Sequence, residues 1–264
     1  MATSAIVITQ YQGQQAQNLR NVPILLPSIV AVEQGEKQFQ WYGRWIRFHK
    51  KNWLLIPAHS RITFVNNPHQ TQFRSTQISF LIPPTAEMIQ LSQQNADTVS
   101  NHLDSPEFIV NDEGRYLWQL LLSMPKELSQ AIQQQLVNGL YQYLAENGQL
   151  HLLYAPQEIS WTEKLTQFFS QDPSQNYTIE QVCQQFGLSK ATLMRRLNDE
   201  STQFREVLAQ VRMGHALSLL QEKSQTVLEL AQQCGYQSEV RFTQRFQKQF
   251  GLSPKQYQKT LHPM

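Results

Sequence analysis

Two short segments near the end of the chain carry side chains of the types that hydrogen-bond to DNA base edges. Arginine binds guanine N7 and O6 bidentately, glutamine pairs with adenine, and small apolar groups contact the thymine methyl. The candidates for base contacts are Ala191, Met194, Arg195, Asn198, Val240, Arg241, Thr243 and Gln244. The candidates for contacts with the phosphate backbone are Ser189, Lys190, Arg196, Ser238, Gln247, Lys255 and Lys259.

Helical geometry decides which of these side chains point outward. Each segment has an apolar pair four residues apart, Leu193 with Leu197 and Phe242 with Phe246. At about 100° per residue, these pairs place Arg195 and Gln244 almost directly opposite the buried face. The spacing therefore predicts two amphipathic helices with polar faces that suit base edges.

Both segments belong to an internal repeat within residues 178–257, offset by 48 residues and by 49 after the turn. Each copy opens with a Thr-x-x-Gln or Thr-x-x-Glu capping box, which predicts a helix start. A glycine then permits a left-handed helix exit, and a serine caps the next helix. These positions are Thr178, Gly187 and Ser189 in the first copy, and Thr226, Gly235 and Ser238 in the second.

A short helix, a glycine turn and a second amphipathic helix form a helix-turn-helix pattern, whose second helix can enter the DNA major groove. One such pattern is also typical of ordinary helical hairpins, but two copies joined by an amphipathic segment are more specific. The joining segment, residues 204–221, predicts a helix of about 25 Å or more. The arrangement favours two reading helices in successive major grooves.

Residues 161–259 resemble the DNA-binding domain of the AraC/XylS family of transcription regulators. The matching residues are Arg212, Ala216, Leu219, Leu220, Leu230, Ala231, Gly235, Tyr236, Phe242, Arg245, Phe246, Phe250, Gly251, Pro254 and Tyr257. The family often has Ser or Arg where this chain has Thr243-Gln244, and often has Arg where Gln258 stands. These departures concern the DNA sequence that is read and one phosphate contact.

The resemblance implies a transcription regulator, an activator or a repressor, that binds double-stranded DNA, with RNA polymerase as a further partner. It also implies a cupin-like N-terminal barrel for sensing or dimerisation. The missing secretory signal predicts a cytoplasmic location. In size and layout the chain is similar to compact virulence and fimbria regulators of this family, some of which respond to fatty acids. The expected fold is α+β, with a sensing domain at 1–155 and a DNA-binding domain at 161–264. The two helix-turn-helix motifs are expected at 178–199 and 226–250.

Short apolar runs separated by turn residues predict six to eight strands in the front part, a spacing typical of a sandwich or barrel. The predicted strands are 6–8, 24–32, 38–48, 53–56, 61–65 and 77–82. The barrel is expected over about 5–95 and helices over about 100–148. Apolar spacing of three and four residues between 113 and 148 predicts a helical pair, with Pro125 in the first turn of the second helix. This pair could pack on its own barrel or form a homodimer interface.

The residue types argue against an enzyme and against a cofactor. Cys183 and Cys234 are isolated, which indicates free buried thiols and no disulfide or zinc site. His49, His59 and His69 lack the paired His-x-His and downstream Glu of a cupin metal site. No Ser/His/Asp set or phosphate loop accompanies them. The alternative that remains is a cupin-type enzyme or ligand-binding module with a helical accessory domain.

The barrel region contains cations and no acid between residues 38 and 80. This bias favours an anionic effector, for which we predict an apolar carboxylate such as a fatty acid. The candidate ligand residues are Arg44, Arg47, Arg61 and Arg74, and for each of them the sequence favours the alternative of a solvated strand residue.

Charge is divided unevenly along the chain. Residues 1–160 contain 10 Lys and Arg against 11 Asp and Glu, whereas residues 161–264 contain 12 against 9. A polyanion partner is therefore expected for the rear part only, although such a stretch can be a solvated face. The sequence has neither a run of about 18 apolar residues nor a secretory signal, so no membrane association is expected.

Overall fold

The computed structural model describes residues 4–41, 44–48, 50, 52–58, 60–70, 72–98, 106–154, 160–222 and 225–261. The antiparallel sheets are formed by strands within residues 6–80 and by a short strand at 107–109, and the other regular elements are helices. The strands are β1 (Ile6–Gly13), β2 (Gln17–Pro23), β3 (Ser28–Gln34), β4 (Glu36–Trp41), β5 (Arg44–Phe48), β6 (Asn52–Ile56), β7 (Arg61–Asn67), β8 (Phe73–Phe80) and β9 (Glu107–Ile109). The predicted α+β class is confirmed.

The strands form two sheets with the orders β1-β8-β3-β6-β9 and β2-β7-β4-β5. Alternate side chains of β4 and β7 point inward, so Phe39 and Phe64 belong to a shared apolar core. The single strand predicted over 38–48 is wrong, because β4 and β5 form an antiparallel pair. Strand β2 was not predicted, because a bulge between Leu19 and Val22 breaks its period of two.

Helices follow the barrel and cover its first sheet. They are α1 (Ala86–Thr98), α2 (Asp112–Leu122), α3 (Gln130–Glu146) and α4 (Leu150–Leu153). The helix α1 lies inside the region assigned to the barrel, and Pro125 precedes α3 by several residues rather than opening it. Val137, Leu140 and Tyr141 are fully buried against the barrel's own residues, so this face of α3 is not free for a partner.

The helices of the rear part are α5 (Trp161–Ser170), α6 (Ile179–Phe186), α7 (Lys190–Asp199), α8 (Phe204–Glu222), α9 (Val227–Gln233), α10 (Glu239–Phe250) and α11 (Pro254–Leu261). No helix among the described residues is both long and apolar enough to cross a membrane.

The two helix-turn-helix copies differ in what their cores contact. The first copy packs with α5 and the start of α8 around Leu193, Leu197 and Val207. The second copy shares one continuous apolar cluster with the barrel, in which Phe242 and Phe246 lie in the same network as Phe39. The barrel therefore holds the second copy directly, and α8 joins the two cores.

Candidate DNA interface and barrel cavity

The first reading helix is positioned by the predicted capping box. The Thr178 hydroxyl accepts from the Gln181 N–H at 3.2 Å, and the Gln181 side chain accepts from the Thr178 N–H at 3.0 Å. The helix α6 ends at Gly187, which adopts the left-handed conformation with φ 63°. The Ser189 hydroxyl then accepts from the Thr192 N–H at 3.1 Å and starts α7.

The second copy repeats this arrangement. The Glu229 carboxylate accepts from the Thr226 N–H at 2.8 Å, and the Thr226 hydroxyl accepts from the Glu229 N–H at 3.2 Å. Gly235 follows the end of α9 with φ 74°. The Ser238 hydroxyl accepts from the Arg241 N–H at 3.3 Å and starts α10. Local hydrogen bonds thus fix both turns.

In α7 the buried pair Leu193 and Leu197 faces the core, as predicted. The predicted base-reading side chains all lie on the exposed side, and Met194 is 48% exposed. They are Ala191, Met194, Arg195 and Asn198.

The predicted backbone contacts of the first copy have partners within the protein. Lys190 pairs with Glu180 at 3.2 Å on the surface. The Arg196 guanidinium lies 4.6 Å from the ring centroid of Trp161, on the α5 side of α7. This side differs from the one that Arg195 occupies. Arg196 therefore anchors the reading helix to α5.

In α10 the fully buried Phe242 and Phe246 define the core side. Arg241, Gln244 and Gln247 are exposed. Val240 is 64% exposed, although it is apolar. Thr243 is half-buried at the border.

Lys255 and Lys259 are both exposed on α11, beyond the end of α10. The predicted DNA interface thus consists of the exposed faces of α7 and α10, together with two basic residues that follow α10 on α11.

Arg212 on α8 connects the two copies. Its guanidinium donates to the carbonyl oxygens of Pro173 and Gln175 at 3.1 and 3.0 Å. It also lies 5.6 Å from the ring centroid of Tyr236, in the turn of the second copy. Arg212 is one of the residues that carry the family resemblance, which gave it no role. The structure shows that Arg212 connects the loop before α6 to the turn of the second helix-turn-helix copy.

A cavity of about 220 Å³ lies between the barrel interior and the DNA-binding part. Most of its lining residues are apolar and come from the barrel and the helical part, and α8 closes one side with Val211, Gly214 and Leu217. Tyr257 of α11 also lines it. A molecule in this cavity would contact both halves of the chain.

Lys37 is the lysine in this cavity, and it is only 5% exposed. Its ammonium donates to the Asn66 side-chain oxygen at 2.6 Å and lies 3.7 Å from the centroid of the Phe64 ring. Burial lowers the pKa of Lys37 to about 7. No carboxylate of the described residues pairs with it. Within the described part of the chain, the site is a buried cation without a counter-ion in a largely apolar cavity.

The predicted ligand residues of the barrel do not line this cavity. Arg47, Arg61 and Arg74 are exposed on the outer face, because they occupy outward positions of β5, β7 and β8. The side chain of Arg44 lies outside the described residues, as do His49 and His59. His69 is exposed in a turn. Lys37 follows Glu36 directly and precedes the acid-free stretch 38–80, so charge bias does not mark it, although its alternation with Phe39 indicates an inward position.

Comparison with known proteins supports the interpretation of the rear part. A family described as helix-turn-helix domain matches residues 182–260. The Escherichia coli HTH-type transcriptional activator CsvR is 32% identical over 105 residues, which are 40% of this chain and 39% of CsvR. The E. coli DNA-binding dual transcriptional regulator Rns is 31% identical over 97 residues, 37% of each chain. The matches thus span about two fifths of these relatives. Residues 182–260 form an AraC-type helix-turn-helix domain, as the sequence predicted.

The whole fold is similar to that of ToxT from Vibrio cholerae. One structure has a TM-score of 0.61 at 13% identity, covering 98% of this chain and 100% of ToxT. A structure of ToxT described as bound to unsaturated fatty acid has a TM-score of 0.62 at 12% identity, covering 100% and 98%. This likeness extends over both halves and confirms the cupin-like barrel followed by a helical part.

Proposed function

We propose that this AraC-type chain is a sequence-specific DNA-binding transcription regulator that places α7 and α10 in successive major grooves. The observation that carries the proposal is the pair of capped helices whose outward faces expose Arg195 and Gln244. The connecting helix α8 has 19 residues, which gives a length of about 28 Å. That length suits a separation near one DNA turn, about 34 Å.

Selection from random duplexes at about 0.15 M salt tests the proposal, since specific binding must exceed nonspecific binding there. We expect a bipartite site with two conserved blocks about one turn apart. Arg195→Ala should reduce the sequence preference in one block. Gln244→Ala or Arg241→Ala should reduce the sequence preference in the other block. Lack of any sequence preference would remove the proposal, and changes confined to one block would contradict the two-groove arrangement.

As a regulator of the activator type, the protein would act as a homodimer and contact RNA polymerase. The outer side of the helical pair supports dimerisation, because Tyr116 on α2 and Ile132 on α3 are 69% and 50% exposed. Sedimentation of the wild-type chain and of Tyr116→Asp tests this. A monomer at micromolar concentration in the wild type would refute the dimer.

We further propose that an apolar carboxylate binds the barrel cavity and controls DNA binding. The cation that would hold it is Lys37, since a buried charge requires a partner. The fatty acid in the ToxT structure supports the ligand class. The cavity volume of about 220 Å³ lies below the usual 300–1,000 Å³ of ligand pockets, about the size for a short-chain or aromatic acid.

A chain of hydrogen bonds leads from this cation to the DNA-binding part. Lys37 donates to Asn66, and the Asn66 amide donates to the Gln17 side-chain oxygen at 2.8 Å. The Gln17 amide donates to the Thr260 hydroxyl of α11 at 3.1 Å. A ligand that moves Lys37 would therefore alter a contact between the barrel and α11.

Thermal unfolding of the full chain with a panel of aliphatic and aromatic acids tests the effector. The isolated barrel is unsuitable, because it shares its core with α10. We expect a binding acid to raise Tm for wild type and for Arg74→Gln, and not for Lys37→Met. If no acid of the panel changes Tm while DNA binding persists, the barrel is a dimerisation or partner-binding module.

A further inference from the structure

A second cavity, of about 180 Å³, lies where the barrel meets the second reading helix. The barrel contributes residues from the bulge of β2 and the start of β7, and the rest come from α8 and α10. The lining residues are Asn21, Arg61, Glu206, Arg245, Lys248 and Gln249. This cavity is separate from the one that contains Lys37.

Three cations line this cavity together with one carboxylate, Glu206. That carboxylate is already engaged, since it accepts from Arg245 Nη2 at 2.6 Å and from the Gln210 amide at 3.2 Å. Burial raises the pKa of Glu206, but these hydrogen bonds and the charges of Arg245 and Arg61 outweigh it and hold the pKa below its usual value. Neither Arg61 nor Lys248 forms an ion pair with a described carboxylate. The cavity therefore has an excess of positive charge.

Two of the residues that line the cavity each have a buried donor without a partner among the described residues. These donors are Arg245 Nε and the side-chain amide nitrogen of Gln249, a residue that is only 8% exposed. A buried N–H without an acceptor is costly and is uncommon in folded proteins. Both groups can donate, so the missing partner is an acceptor.

We infer that this cavity binds a small inorganic oxyanion of the phosphate class. Such an anion offers several acceptor oxygens to guanidinium and amide donors at once, and charge assistance strengthens each hydrogen bond. The volume of about 180 Å³ favours a free ion over a nucleotide. The bound ion would join Arg61 of the barrel to Arg245 and Lys248 of α10. The inference goes beyond the proposed function, because it requires neither DNA nor a carboxylate effector.

Calorimetric titration of the full DNA-free chain with inorganic phosphate, at constant ionic strength, tests the inference. The test variant is Arg61→Gln, and the matched control is Arg47→Gln, which removes an exposed barrel cation away from the cavity. We expect wild type and the control to bind phosphate, and Arg61→Gln to bind about tenfold more weakly or worse. Phosphate also stabilises many proteins without binding, by exclusion from their surface. The quantity to compare is therefore the difference in phosphate affinity between Arg61→Gln and Arg47→Gln.

A second variant, Gln249→Met, keeps the side-chain volume and removes the unpartnered donor. It should fold with a Tm at or above that of wild type and bind phosphate more weakly. Equal phosphate binding by wild type, Arg61→Gln and Gln249→Met would overturn the proposal, as would no binding at millimolar phosphate. If phosphate does not bind but Arg61→Gln lowers the salt slope for random duplex DNA by about 1, the occupant is a DNA phosphate and the free-ion proposal is wrong.

Discussion

The guanidinium of Arg212 lies so close to Gly235 that a Cβ atom on the glycine would be 2.7 Å from Arg212 Nη2. The same atom would be 2.6 Å from the carbonyl oxygen of Ser174. Gly235 thus serves two purposes, since it permits φ 74° and leaves room for the arginine that joins the two copies. Gly187 has the equivalent conformation in the first copy, with φ 63° and no atom of the described residues within 4 Å of an added Cβ.

These two glycines provide a matched pair of substitutions. Gly187→Ala should cost about 1 kcal/mol, because only the left-handed conformation is penalised. Gly235→Ala should cost about 3 kcal/mol or more, because overpacking against Arg212 and Ser174 is added. Denaturant unfolding of both variants measures the difference. Equal losses would show that the contact with Arg212 adjusts without cost.

The sequence predicted both helix-turn-helix copies equally well, because the interactions that define each copy are local. A capping box, a glycine exit and a serine cap each involve residues within four positions of one another, so pattern alone determines them. The exposed faces followed from the apolar pairs of α7 and α10. The boundary at residues 155–161 stays a prediction, and the shared core of barrel and α10 crosses it.

The features that the sequence did not predict depend on tertiary packing. The bulge in β2 hides its alternation, and α1 is rich in Gln and Asn, so its apolar stripe is weak. Arg61 is a candidate ligand residue on charge alone, whereas the pleat of β7 turns it outward. Lys37 lies inward because it shares a strand face with Phe39. Whether a cation faces a cavity depends on its position in the alternation of its strand, and amino-acid composition does not indicate that position.

Neighbouring arginines of α7 should have different effects on DNA binding. Arg195→Ala removes an exposed base-reading candidate and should cost about 1–3 kcal/mol, concentrated at one or two base pairs. Arg196→Ala removes the contact with Trp161 and should lower Tm, with a loss of affinity that is equal for all sequences. Binding to a panel of single-base variants of the selected site distinguishes them. A uniform loss for Arg195→Ala would place that side chain on phosphate.

The lysines of α11 should contribute to affinity and not to sequence preference. Lys255→Gln or Lys259→Gln should weaken binding to specific and random duplexes alike, and each should reduce the salt slope by about 1. Lys126→Gln is the matched control, since Lys126 is also exposed but lies before α3, away from the reading helices. Binding isotherms at several salt concentrations give the slopes. A changed base preference in either α11 variant would contradict the assignment.

The buried Lys37 should make stability depend on pH. Its pKa is about 7 in the folded protein, whereas an unfolded lysine titrates near 10.4, so between about pH 7 and 10 the unfolded chain binds the extra proton. Wild-type stability should therefore rise across this window relative to Lys37→Met, and the gap between them should be constant below about pH 7. Denaturant unfolding at each pH measures the gap. A gap that does not change between pH 7 and 10 would show that Lys37 stays charged.

Carboxylate binding should show the opposite dependence on pH if Lys37 holds the ligand. Below about pH 7 the lysine is already charged, and the affinity of a carboxylate that stabilises the chain should be constant there. Above about pH 7 each further unit should weaken binding by up to about tenfold, because the lysine must first take up a proton. Calorimetric titrations at pH 6, 7, 8 and 9 measure the profile, with Arg74→Gln as the control that retains it. A profile that stays flat to pH 9 in the wild type would mean that another group holds the carboxylate, or that the acid binds through its apolar part alone.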